Sequence, residues 1–267
     1  MPGQLIILPG VNAGGNGGAR IDMNTADQIA ARMPDLKHVI SARSLKANVG
    51  GGISGRCRAT GALLLNTGSA ASTLTIKQLG SRPAIGQSAN GAAALSLPNG
   101  TATASYCAVM AIYMGVDSKT GTAVTNWLNT IKSNTLLGTM ARTYSQVNST
   151  NTDLTVSCGG DSGSPIASVP NQAAGTWGVV VADWNDDTGI VSLSLNGGAY
   201  VTATKTTKHL VDANTAVTIG YPLTASSLRD SGVGDLYLFS ASQLASSYGK
   251  GRIADLVAAL KSQYGVA

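Results

Sequence analysis

The serine at position 162 lies in the segment GDSGSP, residues 160–165, and is the clearest candidate nucleophile in the chain. A serine hydroxyl attacks a carbonyl only when a base accepts its proton and a carboxylate orients that base. The chain offers two histidines, His38 and His209, as candidate bases. Hydrolysis by Ser162 is therefore one chemistry that the sequence permits.

The surroundings of Ser162 argue against that chemistry. The segment resembles the nucleophile signature of trypsin-like proteases, but His38 lacks the Ala-Ala-His-Cys context of that family, and the carboxylate available between His38 and Asp153 is Asp117, in a glycine-flanked loop. A histidine after the serine would suit an α/β hydrolase, yet the chain has neither a GxSxG motif nor alternating strands and helices. Because Asp and Gly favour tight bends, we interpret the segment as a turn and keep a serine hydrolase using Ser162 as the less favoured alternative.

The acidic residues form the second candidate set. Every acid in the chain is Asp, and Glu is absent. A glycosidase needs two carboxylates that face each other across the sugar, which leaves Asp183 with Asp186 or Asp187, in a segment typical of a solvated turn. Clustered loop carboxylates also bind hard cations, so Asp183, Asp186 and Asp187 are candidate metal ligands. No EF-hand spacing is present, and we expect no cofactor other than Ca²⁺.

Aromatic side chains are the third candidate set, because their flat apolar faces can stack on sugars while a polar group stays solvated. Trp127 lies in a polar segment, and Trp184 is followed by Asn185. We take Trp127, Trp184 and Asn185 as candidate glycan-binding residues. Trp177 begins an apolar run and is expected to be a core residue.

The composition indicates an all-β chain. Of 267 residues, 43% are hydrophobic but only 12% are charged, and Gly, Ser, Thr, Asn and Ala are abundant. The net charge is +5 and uneven, with half of the basic residues in positions 1–82. Basic residues are not clustered with interleaved aromatics along the sequence, so we expect no nucleic-acid binding. No apolar run reaches the ~18 residues of a membrane helix, so no membrane insertion is expected.

The cysteines and the N-terminal region indicate where the chain folds. Cys57, Cys107 and Cys158 are odd in number and far apart, which fits neither a disulfide framework nor a zinc site. The apolar run at residues 4–8 is too short for a secretion signal. We therefore expect folding in a reducing cytoplasm. Residues 1–24 are glycine-rich and predict a flexible arm, followed by one domain over residues 25–267.

The elements that must position these residues are mostly short strands separated by turns. Tyr106–Met114 is continuously apolar, as expected of a central strand covered on both faces. Residues 191–195 alternate between apolar and polar, and Asn196-Gly197 then predicts a hairpin with residues 199–203. A short helix is predicted over Ala26–Met33, with Thr25 as its N-cap. A C-terminal helix is predicted from its apolar stripe, which comprises Ile253, Leu256, Val257, Leu260 and Tyr264.

The order of these elements resembles the laminin-G-like / concanavalin A-like lectin superfamily over residues 60–267. The resemblance rests on the strand that Trp177 begins, the Asn196-Gly197 hairpin, a strand ending at Ile219-Gly220, the strand over residues 234–239 and the final helix. It implies an all-β, two-sheet antiparallel jelly-roll sandwich with a short N-terminal helix and a C-terminal amphipathic helix. It also implies binding to glycans or proteins, often with Ca²⁺, and such modules recur in phage particles.

These observations lead to one expected function and one main alternative, besides the less favoured serine hydrolase. We predict a non-enzymatic bacteriophage virion protein, such as a capsid decoration, tail-fibre or baseplate component, made in the host bacterial cytoplasm. Its arm would attach it to other virion proteins, it would form a homo-oligomer, and its jelly roll could adhere to cell-surface polysaccharide. A free-standing carbohydrate-binding lectin is the alternative. Since a fold alone does not determine function, the site must decide.

Overall fold

The computed structural model describes residues 23–120, 125–132, 135–136, 142–148, 151–157, 166–204, 215–226 and 228–267. Ser162, His209 and Cys158 lie outside the described residues, as does nearly all of the predicted arm. The predictions for the GDSGSP turn and for the arm therefore stay predictions.

Strands dominate the described chain, with three α-helices. In chain order the elements are α1 (Thr25–Ala30), β1 (Leu36–Ser41), β2 (Lys46–Ala47), β3 (Ile53–Ser54), β4 (Leu65–Thr67), β5 (Leu74–Leu79), β6 (Arg82–Gln87), β7 (Gly91–Ser96), β8 (Tyr106–Met114), α2 (Val116–Thr120), β9 (Thr125–Lys132), β10 (Thr135–Leu136), β11 (Arg142–Asn148), β12 (Asn151–Ser157), β13 (Ile166–Pro170), β14 (Thr176–Asn185), β15 (Ile190–Leu195), β16 (Val201–Thr204), β17 (Thr215–Ser226), β18 (Gly232–Phe239) and α3 (Ser247–Tyr264). Short 3₁₀ turns occur at Ala42–Ser44 and Ala71–Thr73.

The strands form two antiparallel sheets. The first sheet has the order β16-β15-β14-β8-β18-β6-β5, with β1 also paired to β18. The second has the order β13-β12-β11-β9-β17-β7-β4, with β10 also paired to β9. The strands β2 and β3 pair separately as a short ribbon. This arrangement confirms the predicted two-sheet antiparallel sandwich.

The first sheet separates two hydrophobic cores. Along β14, Val180, Ala182 and Trp184 face the core between the sheets, whereas Val179 and Val181 face a second core. The same period-two alternation runs along β8, so both faces of this sheet are covered. That double coverage explains why Tyr106–Met114 is continuously apolar, as the sequence predicts.

The helices α1 and α3 cover the outer face of the first sheet. The five residues of the predicted stripe on α3 are all buried in the second core. The helix ends at Gly265, which has a φ of 68° and lies in the left-handed region that glycine favours. None of the described helices is long and apolar enough to cross a membrane. The amphipathic C-terminal helix is confirmed, and it seals this face of the sandwich.

Two local predictions can be compared directly with the structure. The Asn196-Gly197 turn has φ values of 56° and 75°, and it joins β15 to β16 as a hairpin. The N-terminal helix ends at Ala30 rather than Met33, and its N-cap is Asn24 rather than Thr25. The Asn24 side chain accepts from the Asp27 backbone while Asp27 accepts from the Asn24 backbone, which is a capping box.

Candidate functional site

A pocket of about 270 Å³ lies beside the β2–β3 ribbon, where positive side chains meet. Three of its lining residues are basic, two carry hydroxyls and none is acidic; the lining comprises Ser44, Lys46, Ser54, Gly55, Arg56, Cys57 and Arg58. We call it the basic pocket. Its side chains consist largely of hydrogen-bond donors, which suits a ligand that presents oxygen acceptors.

One extended stretch of chain supplies most of the basic pocket. Ser54 and Arg56 are exposed and Arg58 is partly exposed, while the intervening Cys57 is buried. In an extended chain alternate side chains share a face, so Ser54 and Arg56 project to the same side. Arg58, where a turn begins, also lines the pocket. Lys46 is the register partner of Ser54 in the β2–β3 ribbon and therefore lies next to it.

The floor of the pocket rests on the core between the sheets. Gly55 packs so closely that a Cβ atom there would collide with the side chain of Leu45. Leu45 and Cys57 both belong to the inter-sheet core. The backbone between the pocket's basic side chains is therefore held by well-packed residues, which fixes the spacing of the charges.

The three basic side chains differ in how their charge is compensated. Arg58 forms two contacts with the buried carboxylate of Asp27, at 3.0 Å and 2.9 Å. Arg56 donates to the Gly61 carbonyl oxygen at 2.7 Å. Among the described residues, no carboxylate pairs with Arg56, and Lys46 makes no hydrogen bond or ion pair. The pocket therefore holds two positive charges that the described chain does not neutralise.

A chain of three buried polar side chains lies beneath the pocket. The Thr101 hydroxyl donates to the Pro98 carbonyl oxygen at 2.5 Å, so it accepts from Nε2 of His38 at 2.8 Å. The other ring nitrogen, Nδ1, then accepts from the Cys57 thiol, with 3.3 Å between Nδ1 and Sγ. Burial, with a smaller contribution from Lys37, lowers the pKa of His38 to about 4, so the ring is neutral at neutral pH. This chain ties Cys57, and the backbone between the two arginines, to β1.

The tryptophans proposed from the sequence as sugar platforms are core residues. Trp127 is 0% exposed and Trp184 is 3% exposed, and both belong to the inter-sheet core. Neither ring therefore offers a free face to a sugar. The sequence could not distinguish this for Trp184, because the strand ends one residue later at Asn185 and the polar residues beyond it belong to the turn.

The three candidate aspartates do not converge on one point. Asp183 is buried and accepts from the Ser242 hydroxyl at 2.6 Å and from the Gln243 backbone at 2.8 Å, so it anchors the segment before α3. Its burial raises its pKa, although these hydrogen bonds oppose the shift. Asp186 and Asp187 lie in the turn that follows.

That turn is held by its own hydrogen bonds. Asn185 accepts from the backbones of Asp187 and Thr188, and the Asp186 backbone donates to Ser105. Within the described part of the chain, no group of three or more His, Cys, Asp or Glu residues could hold a metal ion. The side chains of Asp183 and Asn185 thus have structural roles, whereas Asp186 and Asp187 contribute backbone N–H groups to the turn.

The basic pocket was missed by the sequence analysis, which found no cluster of basic residues. Lys46 is separated from Arg56 and Arg58 by a glycine-rich turn, and only the ribbon brings them together. One signal was present: two arginines at a spacing of two, in the run SGRCR at residues 54–58, must share a face if the run is extended.

Comparison with known proteins identifies the fold but not a family. No family model matches the chain, nor does any curated protein. The structure is similar to Trypanosoma rangeli sialidase, with a TM-score of 0.58 and 11% identity over 86% of this chain and 33% of the sialidase. The same sialidase in complex with 2,3-difluoro-KDN matches 94% of this chain and 35% of its own, with a TM-score of 0.56 and 12% identity. This chain therefore spans about a third of the length of those sialidase chains, and the similarity shows a shared jelly-roll-like sandwich.

The comparison corrects one expectation. From the absence of Glu and of a usable His/Asp pair we predicted that the chain is not an enzyme, and the structural neighbours contradict that prediction. They include sialidase chains, one of them a covalent intermediate with 2,3-difluorosialic acid. A sandwich of this kind thus occurs within enzymes, and taking the absence of Glu and of a usable His/Asp pair as evidence against catalysis was the error. At 11–12% identity the likeness shows the fold alone and assigns no activity to this chain.

Proposed function

We propose that the chain is a polysaccharide-binding component of a bacteriophage virion, built on a sandwich of the laminin-G-like / concanavalin A-like kind. The observation that carries the binding proposal is the basic pocket, whose lining offers hydroxyl, ammonium and guanidinium donors and no carboxylate. Polysaccharides present many oxygen acceptors, which such donors bind.

The position of the pocket supports the same proposal. The outer face of the first sheet is sealed by α1 and α3 over a core of its own, so that face is not free for a ligand. The basic pocket lies instead beside a two-stranded ribbon outside both main sheets. A ligand can reach it without disturbing either core.

The virion setting is supported by the sequence. Low charge and a glycine-rich N-terminal segment suit a protein that is assembled into a particle. In this proposal residues 1–24 attach the chain to other virion proteins, and the sandwich, as a homo-oligomer, faces outward. A free-standing lectin would use the same pocket without the arm's attachment.

Binding is tested with a panel of purified bacterial surface polysaccharides, neutral and acidic, immobilised for surface plasmon resonance. We expect the wild-type chain to bind at least one of them, and Lys46→Gln with Arg56→Gln to weaken that binding about ten-fold or more. The matched control is Arg32→Gln with Lys250→Gln, which removes two exposed charges from residues that do not line the pocket. No binding to any member, or equal losses in both double variants, would contradict the proposal.

The virion setting has a separate test. Particles assembled with the full chain and with a chain lacking residues 1–24 are purified and their protein content is compared. We expect the shortened chain to be lost from the particles while its sandwich still folds, as judged by circular dichroism. Unchanged incorporation would show that the arm is not the attachment, and binding by a chain that never enters particles would favour the free-standing lectin.

A further inference from the structure

We propose that the basic pocket is specific for an anionic group on the polysaccharide, a carboxylate, sulfate or phosphate, held between Lys46 and Arg56. This inference rests on the proposed function, which supplies a polysaccharide as the molecule that carries the anionic group. It adds the class of sugar that is bound. It follows from the balance of charge, the free donors and the rigidity of the pocket.

The positive charges of the basic pocket are only partly compensated. Lys46 and Arg56 line the same pocket, and no carboxylate of the described chain pairs with either of them. Placing like charges side by side is unfavourable, and an anion between them removes that repulsion. A metal cation would increase the repulsion, and a neutral sugar would leave it in place. An anion is therefore the ligand that the charges favour.

The free donors agree with the charge. A guanidinium group has five N–H donors and an ammonium group has three. Arg56 uses a donor on the Gly61 carbonyl oxygen, which leaves the rest of its fork available. The Ser54 hydroxyl makes no hydrogen bond with the described residues, whereas the Ser44 hydroxyl donates to the Ser41 carbonyl oxygen at 2.9 Å. Arg56, Lys46 and Ser54 thus supply donors from adjacent positions.

Arg58 has a different role, because its charge is already compensated by Asp27 at 2.9 Å. Asp27 is 1% exposed and also accepts from the Tyr237 hydroxyl at 2.8 Å. Arg58 is therefore fixed at the edge of the pocket by a buried partner before any ligand binds. Donors fixed in advance lose less conformational entropy on binding.

The size and lining of the pocket restrict which kind of molecule can carry the anionic group. A volume of about 270 Å³ is slightly below the ~300 Å³ at which drug-sized ligand pockets begin, so it suits one charged sugar residue rather than a long segment. Single-stranded nucleic acid is held by aromatic side chains on which bases stack, and none lines this pocket. An acidic polysaccharide, with isolated charges on a flexible chain, fits better than a nucleic acid.

The test compares an acidic polysaccharide with its own carboxyl-reduced form, which keeps the sugar chain but removes the charge. Binding of both to the full chain is measured by isothermal titration calorimetry at two salt concentrations. A hyaluronan-type polyuronate, a sulfated glycan and a duplex DNA fragment serve as further probes. The variants are Arg56→Gln, Arg56→Lys, Lys46→Gln and the control pair Arg32→Gln with Lys250→Gln.

We expect the native acidic form to bind at least about ten-fold more tightly than the reduced form, with affinity that falls as salt rises. Arg56→Gln and Lys46→Gln should each remove most of that preference, and Arg56→Lys should restore part of it. Equal binding of the native and reduced forms would overturn the anion inference while leaving the proposed function intact. If neither form binds, and no other polysaccharide probe binds, both the anion inference and the proposed function are refuted. If DNA binds more tightly than every polysaccharide, the ligand is a nucleic acid rather than the polysaccharide proposed here.

Discussion

The substitution Asp27→Ala is expected to destabilise the fold strongly, because the Asp27 carboxylate joins three parts of the chain. It caps α1 by accepting from the Asn24 backbone, it pairs with Arg58 at the basic pocket, and it accepts from the Tyr237 hydroxyl of β18. All of these contacts are lost together in the alanine variant. The Arg58 side chain is only 12% exposed, so its charge cannot be fully solvated in place.

The magnitude follows from those contacts. Removing one partner of a buried ion pair costs about 3–5 kcal/mol, and leaving a buried hydroxyl unsatisfied costs about 1–3 kcal/mol. Loss of a helix cap costs about 1 kcal/mol. The three effects share one carboxylate and do not add, so we expect the free energy of unfolding to fall by about 3–5 kcal/mol.

Urea unfolding followed by circular dichroism measures this loss. Asp255→Ala is the matched control, because it breaks an Arg–Asp pair between Arg252 and Asp255 that is partly exposed on α3, and it should cost less than about 0.5 kcal/mol. Adding Arg58→Met to Asp27→Ala removes the unpaired charge and should recover part of the stability. A loss below about 1 kcal/mol for Asp27→Ala, or no recovery in the double variant, would refute this reasoning.

Two further predictions concern the residues beneath the pocket. The pKa of His38 is about 4 in the folded chain and about 6.5 when unfolded, so the unfolded chain binds the proton first and the free energy of unfolding falls by about 3 kcal/mol as the pH drops from 6.5 to 4. Urea unfolding across that pH range should show the fall, and His38→Gln should flatten it. An unchanged pH profile in the variant would contradict the assignment to His38. Gly55→Ala should lower the free energy of unfolding by about 1–3 kcal/mol because the new Cβ atom meets the Leu45 side chain. Gly50→Ala is the control and should have little effect, because its Cβ atom would enter open space. Equal melting temperatures for the two variants would contradict the packing described.

The parts of the fold that the sequence predicts are those determined by local pattern. The Asn196-Gly197 hairpin follows from two residues that tolerate positive φ. The α3 stripe follows from helical spacing, and the continuous apolar run of β8 from burial on both faces. Each signal lies within about a dozen consecutive residues, so no knowledge of distant contacts is needed.

The candidate site depends on distant contacts and was harder to predict. Trp184 belongs to the core because the alternation along β14 sends it between the sheets, although its sequence neighbours are polar. Asp183, one residue earlier, faces the other side and anchors the segment before α3. The basic pocket needs the β2–β3 ribbon to bring Lys46 to Ser54, and the ion pair between Arg58 and Asp27 to fix its edge. None of these pairings leaves a periodic pattern in the sequence.

The most direct test of an anion-binding pocket is a crystal structure of the full chain with an acidic oligosaccharide. The account predicts that a carboxylate or sulfate oxygen lies within hydrogen-bonding distance of both Lys46 and Arg56, with the sugar ring directed out of the pocket. An oligosaccharide bound at another surface, such as the turn at Asp186 and Asp187, with the basic pocket free of it, would contradict the account.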